Sequence, residues 1–462
     1  MAFQQPIWPR DFTNRIREQF PDTADSFLAS LAAESRVSVR INPAKFRLAP
    51  DEEPVPWCRN GYFLKERPLF ALDPLWHAGA YYVQEASSMF LERVFEQIPK
   101  EHPLVVLDLC AAPGGKSSHL TSLLTENDLL VSNEVIRSRV PVLVENMTKW
   151  GRCNTLVTSS DAKNFAAAGP LFDVLLIDAP CSGEGLFRRS PEAAAEWSPD
   201  NAALCAVRQR RILADSWDCL KNGGYLIYST CTFNPAENEE NMRWLRSRGN
   251  FTSIPVPPDP RWNVDEITFQ GIHGYRFLPF RVQGEGFFIS LIRKEEETPQ
   301  QRFQSKFRMQ KPARIPDHWV TAPGKKRFFM HQDQLRFVPA GLEQEISRLA
   351  DTVNLVKTGT TVGQVIRSEI LPDHELAMSV NLNPDAFPRF ELQKEQALRY
   401  LAREPVPLRT AATGWQIVTF CETPLGLIKN TGSRFNNYYP KNWRLRMPAT
   451  STAPLWYAHP GE

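Results

Sequence analysis

The sequence predicts an α/β protein whose main domain is a doubly wound parallel sheet. Two observations lead to this prediction. From about residue 103 to 294, apolar runs of strand length alternate with helical patterns, which is typical of a parallel sheet with helices on both faces. A glycine turn joins the first run to a helix in VVLDLCAAPGGKSSHL (105–120), where two glycines let the backbone approach a ligand closely.

The predicted strands and helices of this domain alternate in order. The strand patterns are PLVVLDLC, DLLVSNE, NTLVTSS, FDVLLIDAP, GYLIYST and GFFISLIRK. The helical patterns between them are SSHLTSLLTE, RVPVLVENMTKW and ALCAVRQRRILADSWDCLKNGG, and the final Lys-Asn-Gly-Gly predicts the end of the last helix. Two runs near 267–270 and 286–292 lie close together and predict an antiparallel hairpin at the sheet edge.

Shorter regions flank the predicted sheet. Two helices (DFTNRIREQF and ADSFLASLAAE) and a short strand (SVRINPAKF) open the chain, and a polar, Pro-containing linker is expected at 295–316. Near the C-terminus, GWQIVTFCETPLGLIKN predicts two strands around a Pro-Leu-Gly turn. We therefore expect an N-terminal extension, a sheet domain, a linker with a middle domain, and a β-rich C-terminal domain, with limits at 1–70, 71–294, 295–382 and 383–462.

The amino-acid composition argues against several classes of protein. The chain is 42% hydrophobic and 23% charged, as in ordinary globular proteins, and it has no run of 18 apolar residues. Its N-terminus lacks the layout of a signal peptide. Eight cysteines occur without CxxC pairs or Cys/His clusters, which argues against disulfides and structural zinc and fits a reducing compartment. We expect a cytoplasmic protein with no membrane contact and no metal.

Charge is distributed unevenly along the chain. Residues 1–297 carry 32 Lys/Arg and 38 Asp/Glu, a net charge of −6, whereas residues 298–462 carry 22 and 14, a net charge of +8. A basic region of this kind favours a polyanionic partner, most simply nucleic acid. Solvated surface charge is the alternative explanation.

Three ligands are considered for the glycine turn. A phosphate-binding P-loop requires GxxxxGK[ST], and Cys110 stands where its first glycine should be, although Gly115, Lys116 and Ser117 match. The dinucleotide motif GxGxxG is also absent. A nucleoside or S-adenosylmethionine site remains, in which the turn packs against the methionine portion.

Acidic residues at the ends of the predicted strands favour this third ligand. Glu134 ends the second strand, 19 residues after Gly115, a spacing that suits a carboxylate accepting from ribose hydroxyls. Asp161 follows the third strand and is placed to accept from an adenine amino group, and Asp178 ends the fourth. Carboxylates before helices also serve as caps, which is the alternative for each of them singly.

Two cysteines follow neighbouring strand ends. Cys181 comes just after the fourth strand, in LIDAPCSGEG, and Cys231 just after the fifth, in YSTCTFNPAENEEN. Ligands of open parallel sheets lie beyond the carboxyl ends of the strands, and adjacent strands are about 5 Å apart. If these two strands are neighbours, both thiols and Asp178 face one cleft. The alternative is that each thiol is a small buried packing group.

Methyl transfer to pyrimidine C5 is a reaction that needs such thiols. A thiolate that adds to C6 makes C5 nucleophilic enough to attack a methyl group. Asp178 is placed to stabilise the charge that forms at ring N3, provided that it carries or shares a proton. A base must then remove the C5 proton and the thiol must leave. The target base must be single-stranded or flipped out of a helix.

Three motifs together resemble those of one enzyme family. LDLCAAPGGKSSHL, DAPCSGEG and STCTFNPAENE closely resemble the Nol–Nop–Sun (Fmu-type) RNA cytosine-5 methyltransferases, a resemblance that covers about 35–294. YVQEASSM (82–89) and RIN (40–42) are similar to N-terminal signatures of the same family. The C-terminal GWQIVTF…PLGLIKN…NNYYPKNWRLR resembles the PUA-like RNA-binding domain of the bacterial RsmF subgroup, which modifies small-subunit ribosomal RNA near the decoding site.

The resemblance implies a fold, a cofactor, a substrate and roles for individual residues. It implies a Rossmann-like class I methyltransferase sheet with an N-terminal α/β RNA-binding extension and a PUA-like domain. It makes Cys231 the nucleophile, while Cys181 assists breakdown of the adduct and Asp178 acts at N3. The S-adenosylmethionine contacts that it implies are Cys110, Ala111, Ala112, Pro113, Gly114, Gly115, Lys116, Ser117, Glu134, Arg139, Asp161 and Asp178.

The implied partner is small-subunit rRNA or the 30S subunit, bound by a monomer. Tyr438, Tyr439, Lys441, Trp443, Arg444 and Arg446 are candidate RNA contacts in the C-terminal region, and a second set is Arg188, Arg189, Arg208, Arg210 and Arg211. Transfer to tRNA is the alternative substrate, and a non-catalytic RNA-binding scaffold is the alternative class of protein.

Overall fold

The structure is a computed structural model that describes residues 8–46, 51–296, 305–367, 369–406, 412–448 and 455–457. Part of the predicted linker, residues 297–304, lies outside this range, as do both ends of the chain. Within the described ranges, helices are too short or too polar to cross a bilayer.

A sheet of ten strands forms the centre of the molecule. Five parallel strands run in the order β9–β8–β5–β6–β7, as the sequence predicts. The parallel strands are β5 (Val105–Asp108), β6 (Leu129–Asn133), β7 (Thr155–Thr158), β8 (Phe172–Asp178) and β9 (Leu220–Thr230). The helices that follow them are α5 (Gly115–Leu123), α6 (Val140–Trp150), α7 (Ala162–Ala166), α8 (Pro191–Glu196), α9 (Pro199–Ser216) and α10 (Glu239–Arg246).

Alternating apolar side chains bury both faces of this sheet. Val106, Val174 and Leu176 enter one hydrophobic cluster, while Leu107 and Leu175 enter the cluster on the opposite face. Successive side chains of a strand point to opposite faces, so an almost continuous apolar strand must be covered on both. The doubly wound prediction is confirmed.

Antiparallel strands complete both edges of the sheet. Beside β9 lie β13 (Phe287–Lys294), β12 (Ile272–Phe277) and β11 (Asp265–Phe269), and β10 (Phe251–Ser253) also pairs with β13. The hairpin predicted for the runs near 267–270 and 286–292 is wrong, because β12 lies between β11 and β13 and pairs antiparallel with both. At the other edge, β16 (Leu355–Thr358) from the middle region pairs antiparallel with β7. The middle region thus shares the sheet of the core.

One predicted helix end is wrong. Lys-Asn-Gly-Gly at 221–224 does not terminate α9, which ends at Ser216; these residues form the start of β9. Gly223 has a φ of +74°, and a Cβ there would lie 3.2 Å from Arg293 Nη2 on the neighbouring strand. The helix ends before this stop signal, and Leu220 already pairs with Phe172 of β8.

The N-terminal region packs against two parts of the molecule. Its elements are α1 (Arg10–Gln19), α2 (Ala24–Ala32), β1 (Ser38–Ile41), β2 (Glu53–Pro54), β3 (Gly61–Phe63), α3 (Pro74–His77) and β4 (Tyr81–Val83), followed by α4 (Leu91–Phe95). Phe12 and Phe27 of the two predicted helices pack against Phe187 and Phe233, which flank the strand ends of β8 and β9. The antiparallel sheet β2–β3–β1–β4 shares a hydrophobic cluster with the C-terminal domain.

Two further sheets follow the core. The middle region contains β14 (Lys326–His331), β15 (Gln334–Pro339), α11 (Glu343–Ala350), β17 (Thr360–Ile366), β18 (Glu369–Pro372) and α12 (His374–Met378). The C-terminal domain contains β19 (Arg389–Glu391), α13 (Lys394–Leu401), β20 (Gly414–Phe420), β21 (Thr423–Asn430) and β22 (Phe435–Asn437). The predicted turn is misplaced, because Cys421 and Glu422, both with positive φ, make the turn and Pro424-Leu425-Gly426 lies within β21.

We expect substitution of Gly79 to destabilise the contact between the N-terminal region and the core. Gly79 has a φ of +69°, and a Cβ there would lie 2.1 Å from the carbonyl oxygen of Lys149. Gly79→Ala should cost about 3 kcal/mol or more, from backbone strain of ~1–2 kcal/mol and a similar overlap term. The measurement is the midpoint of thermal unfolding.

Gly271→Ala is the matched control for this prediction. Gly271 has a φ of +73°, yet no atom lies within 4 Å of the added Cβ. This control should lose only the stability that backbone strain costs, about 1–2 kcal/mol. Equal shifts in the two variants would contradict the argument from overlap.

Candidate active site

Two cysteines meet at the carboxyl ends of β8 and β9. These strands are parallel neighbours, and Asp178 pairs with Ser229 at the last register position. The chain then turns so that Cys181 Sγ and Cys231 Sγ lie 3.1 Å apart. The amide of Gly185 donates to the carbonyl of Cys231 at 2.9 Å, which ties the two loops together. The predicted juxtaposition of both thiols is present in the structure.

Asp178 lies at the same strand ends and holds two donors. Lys116 Nζ is 2.8 Å from Asp178 Oδ2, and Ser229 Oγ donates to Oδ1 at 2.8 Å. Burial disfavours the charged form of Lys116, but the charge of Asp178 and, to a smaller extent, that of Cys231 raise the pKa of Lys116 above its ordinary value. The glycine turn therefore supplies an ammonium group that faces both Asp178 and Cys231.

A buried carboxylate, Glu237, contacts the residue that follows each cysteine, Ser182 and Thr232. Glu237 is fully buried and accepts from Ser182 N at 2.9 Å, from Ser182 Oγ and from Gln209 Nε2 at 2.9 Å. The hydrogen bond to Cys231, burial and the charge of Glu237 raise the pKa of Cys181 well above that of an ordinary thiol. The charge of Glu237 thus disfavours the thiolate form of Cys181, while the charge of Lys116 interacts with Cys231.

The predicted glycine turn joins β5 to α5. Gly114 has a φ of +116°, and a Cβ on Gly115 would lie 3.2 Å from the Tyr82 ring. The buried Arg40 donates to the carbonyl of Gly115 at 3.3 Å and to Ser118 Oγ at 2.6 Å. Both signatures of the N-terminal region, RIN and YVQEASSM, therefore fix the position of this turn.

Two buried carboxylates lie beside the turn. Asp108, at the end of β5, accepts from Ser117 Oγ at 2.6 Å, while its Oδ1 makes no hydrogen bond. Glu134 forms an ion pair through Oε2, which lies 3.1 Å from Arg139 Nη1. Arg139 also donates to the carbonyl of Ala112 in the turn. Burial, with the charges of Asp178 and Glu134, raises the pKa of Asp108 to about 7.

Two other residues predicted to contact S-adenosylmethionine, Asp161 and Cys110, make local structural contacts. Asp161 follows β7 and caps α7 through Lys163 N at 3.3 Å, so the capping explanation accounts for its described contact. Cys110 packs against the hydrophobic cluster of one sheet face. Val135 and Ile136, directly after Glu134, are 56% and 49% exposed and present apolar surface at this site.

Sequence reasoning missed three residues of the site: Asp108, Glu237 and Arg40. Asp108 carries the same sequence signal as Asp178, a carboxylate at the end of an apolar run, and this signal predicts a site residue there too. Glu237 lies 55 residues from Ser182 and Arg40 lies 75 residues from Gly115, so only the fold brings them into the site.

Most of the proposed RNA-contacting arginines have structural partners. Arg188 donates to the carbonyls of Ala33, Glu34 and Gly284. Arg210 bonds Asn241, and Arg211 pairs with Asp215. In the C-terminal set, Tyr439 is buried, whereas Tyr438, Lys441 and Arg444 are exposed.

One cluster in the described chain has the spacing of a metal site. The ligand atoms of Cys58, Glu92 and His119, all buried, lie within 4.8 Å of one another. They also contact one another directly, with His119 Nε2 3.2 Å from Glu92 Oε2 and 3.8 Å from Cys58 Sγ. Burial raises the pKa of Cys58 to about 12, which keeps it a thiol. The absence of a metal stays a prediction.

Comparison with known sequences covers 96% of the chain. Residues 96–293 match the family model described as 16S rRNA methyltransferase RsmB/F. Residues 8–86 match the N-terminal domain of 16S rRNA methyltransferase RsmF, and residues 387–445 match the methyltransferase RsmF PUA domain. Proteins named ribosomal RNA small subunit methyltransferase F from Escherichia coli and Salmonella agona are 30% and 31% identical, over 96% of this chain and 97% of theirs.

Solved structures share the core fold. A methyltransferase homolog protein from Pyrococcus horikoshii is 27% identical, with a TM-score of 0.53 over 62% of this chain and 95% of that one. NSun6 from Pyrococcus horikoshii is 20% identical, with a TM-score of 0.54 over 64% of this chain and all of that one. Fold and site define the class of protein as a methyltransferase. The chain belongs to the 16S rRNA methyltransferase RsmB/F family, and the predicted resemblance is confirmed.

We expect Asp108→Asn to change how stability depends on pH. The folded protein keeps the Asp108 proton up to about pH 7, whereas an unfolded chain releases it near the ordinary value of 3.8. The folded state therefore loses stability as the pH rises through this window, by about 1.4 kcal/mol per unit, and the variant escapes this loss. Urea unfolding at pH 5.5 and 7.5 measures the difference.

The control for this prediction is Asp25→Asn, which changes an exposed carboxyl on α2. Its difference from wild type should be the same at both pH values. A difference for Asp108→Asn that is equally constant would show that this carboxyl does not hold its proton.

Proposed function

We propose that the chain is an S-adenosylmethionine-dependent RNA (cytosine-C5)-methyltransferase that acts in the cytoplasm. Its proposed substrate is 16S small-subunit rRNA near the decoding site, as naked RNA or in the 30S subunit, with the enzyme as a monomer. The observation that carries the proposal is the 3.1 Å contact between Cys181 and Cys231 beside the Lys116–Asp178 pair. Transfer to oxygen or nitrogen does not require such thiols.

The residues around the glycine turn fit the proposed cofactor. Asp108 Oδ1 is a buried oxygen without a hydrogen bond, which an ammonium group would satisfy, and Glu134 is a buried carboxylate, oriented by Arg139, that can accept from ribose hydroxyls. The exposed Val135 and Ile136 offer apolar surface to a purine ring. S-adenosylmethionine supplies an electrophilic methyl group. Among the structural neighbours, NSun6 was determined with SFG, an analogue of this cofactor.

The surroundings of the two cysteines support Cys231 as the nucleophile. An ammonium group stabilises a nearby thiolate, and a carboxylate disfavours one. The charge of Cys231 contributes to the raised pKa of Lys116, whereas the hydrogen bond to Cys231, burial and the charge of Glu237 raise the pKa of Cys181. Cys181 is therefore the thiol that donates a hydrogen bond to a Cys231 thiolate. This agrees with the roles that the family resemblance implies.

The same arrangement supports a sequence of steps on cytosine. The Cys231 thiolate forms a bond to C6 as the C5–C6 π bond opens, and Asp178 passes to N3 a proton that it takes from the Lys116 ammonium. The Lys116 amine and the Asp178 carboxylate then remain beside N3. After methyl transfer to C5, water takes the C5 proton, the electrons of the C5–H bond re-form the C5–C6 double bond, Cys231 leaves as a thiolate, and N3 returns its proton to the Asp178–Lys116 pair. Cys181 donates its hydrogen bond to the departing sulfur, which is how it assists breakdown of the adduct.

Two alternatives are less well supported. Transfer to tRNA uses the same site, but relatives over the full length of the chain are named for small-subunit ribosomal RNA. A non-catalytic scaffold would have no use for a buried carboxylate at one thiol and an ammonium group at the other. The individual site roles and the domain limits at 1–70, 71–294, 295–382 and 383–462 are part of this proposal.

We expect Cys181→Ala to accumulate a covalent protein–RNA adduct and Cys231→Ala to form none. Without the Cys181 thiol, the leaving sulfur loses its hydrogen-bond donor and breakdown slows; without Cys231, no bond to C6 forms. The measurement is a shifted band on a denaturing gel after incubation with S-adenosylmethionine and total RNA, including intact small subunits. Sequencing of the trapped RNA identifies the substrate.

The result can contradict the proposal in two ways. An adduct only with Cys231→Ala would exchange the roles of the two cysteines. Methylation by the wild type with no adduct in either variant would overturn addition of a thiol. The double variant, which has neither sulfur, is the control for nonspecific crosslinking.

We expect Glu237→Gln to make Cys181 react at lower pH. Because the carboxylate of Glu237 raises the pKa of Cys181, an uncharged isostere lowers it. The measurement is alkylation of Cys181 by iodoacetamide across a pH series, followed by peptide mass spectrometry. Glu240→Gln, an exposed position on α10, is the control and should leave the profile unchanged. A Glu237→Gln profile equal to that of the wild type would show that the charge does not reach Cys181.

A further inference from the structure

A cavity lies where the core, the middle region and the C-terminal domain meet. It has a volume of about 320 Å³, within the range of small-ligand sites. The core contributes residues of α6, the middle region contributes the start of α12, and the C-terminal domain contributes an aromatic segment. The lining residues are Val144, Thr148, Pro372, Asp373, His374, Glu375, Tyr438, Pro440 and Trp443.

The walls of this cavity are aromatic. Tyr438 is 40% exposed and is backed by Trp415, with ring centroids 4.4 Å apart. Trp443 packs against the edge of His374, with centroids 5.3 Å apart and planes at 77°. An exposed aromatic ring supported from behind is a surface on which a planar base can stack.

The floor of the cavity has unused hydrogen-bonding groups. His374 is 8% exposed, and neither of its ring nitrogens makes a hydrogen bond. Asp373 Oδ1 accepts from Glu375 N at 2.8 Å, and Asp373 Oδ2 has no hydrogen-bond partner among the described residues. Burial, with Lys149 and Lys45 nearby, lowers the pKa of His374 to about 3, so the ring is neutral with one donor and one acceptor.

The cavity has acidic residues in its floor and basic residues next to its aromatic wall in the chain. Asp373 lines the floor and would repel a phosphate group, whereas its free Oδ2 can accept from the N–H groups of a base. Glu375 also lines the floor, but its oxygens are already held by Lys357 at 3.1 Å and by Thr361 N. Lys441 and Arg444 stand on either side of the lining residue Trp443 in the chain, and both are exposed and available to phosphates. An aromatic wall, an acidic floor and neighbouring basic residues are the complement of a single unpaired nucleotide.

The position of the cavity relates it to the proposed active site. Helix α6 begins directly after Arg139, which contacts the glycine turn, and Val144 and Thr148 of this helix line the cavity. With a rise of 1.5 Å per residue, these positions lie about 8 and 14 Å along the helix from Arg139. One RNA strand can therefore reach both places.

We propose that this cavity binds an unpaired nucleotide of the RNA substrate, apart from the nucleotide that is methylated. The base stacks on Tyr438, its N–H groups donate to Asp373, and its flanking phosphates lie against Lys441 and Arg444. The inference rests on the proposed function only in taking RNA as the substrate. It adds a contact that holds the strand while the target base enters the cleft between the cysteines.

The test is RNA affinity of the full-length protein without cofactor. A 16S rRNA transcript is the probe, and the dissociation constant is measured by filter binding for wild type, Tyr438→Ala, Tyr438→Phe and Asp373→Asn. Tyr438→Ala should weaken binding roughly ten-fold through loss of stacking, while Tyr438→Phe keeps the ring and stays close to wild type. Asp373→Asn retains the cap of α12 and should weaken binding several-fold.

Controls separate this proposal from folding and from catalysis. Leu204→Ala, at an exposed position on α9, should bind as wild type does, and melting temperatures report folding of each variant. Wild-type affinity in both Tyr438→Ala and Asp373→Asn would overturn the proposal, as would equal losses in Tyr438→Ala and Tyr438→Phe. Methyl transfer by the wild type to the same transcript is scored separately, so its absence would overturn the proposed function and leave the nucleotide site standing.

Discussion

The parallel pairing of β8 with β9 is the interaction on which the site depends. It places Asp178 opposite Ser229 at the last register position, and the chain beyond each strand then carries one cysteine. A shift of one residue in this register would move Asp178 away from its donors and separate the sulfurs, because alternate residues face opposite sides of a sheet. The 3.1 Å contact between the thiols is thus a consequence of strand register as much as of loop conformation.

Electrostatic asymmetry gives two identical side chains different tasks. The thiols touch each other, yet the charge of Lys116 interacts with Cys231 and the charge of Glu237 with Cys181. The ammonium group comes from the glycine turn and the carboxylate from the loop after Cys231, so two elements far apart in sequence set the difference. Burial strengthens both effects, since charges interact more strongly away from water.

The sequence predicted the parts of this site that local pattern determines. Apolar runs ending in Asp178, Cys181 and Cys231 identified the strand ends, and the topology of parallel sheets then brought those ends together. It did not predict Glu237 or Arg40, whose partners lie 55 and 75 residues away. Local signals failed at Lys221–Gly224, because the helix ends earlier, at Ser216, and the chain already pairs with β8 at Leu220. They also failed at Pro424–Gly426, which lies inside a strand because the turn uses Cys421 and Glu422.

Strand β16 has a consequence for how the molecule can be divided. It comes from the middle region, yet it covers the edge of β7 through antiparallel pairing. A fragment cut after the last core strand would leave the N–H and C=O groups of β7 exposed along a buried, apolar strand. Unpaired edges of this kind recruit strands from other molecules. The catalytic sheet therefore depends on a later part of the chain for its solubility, and an isolated core would be prone to self-association.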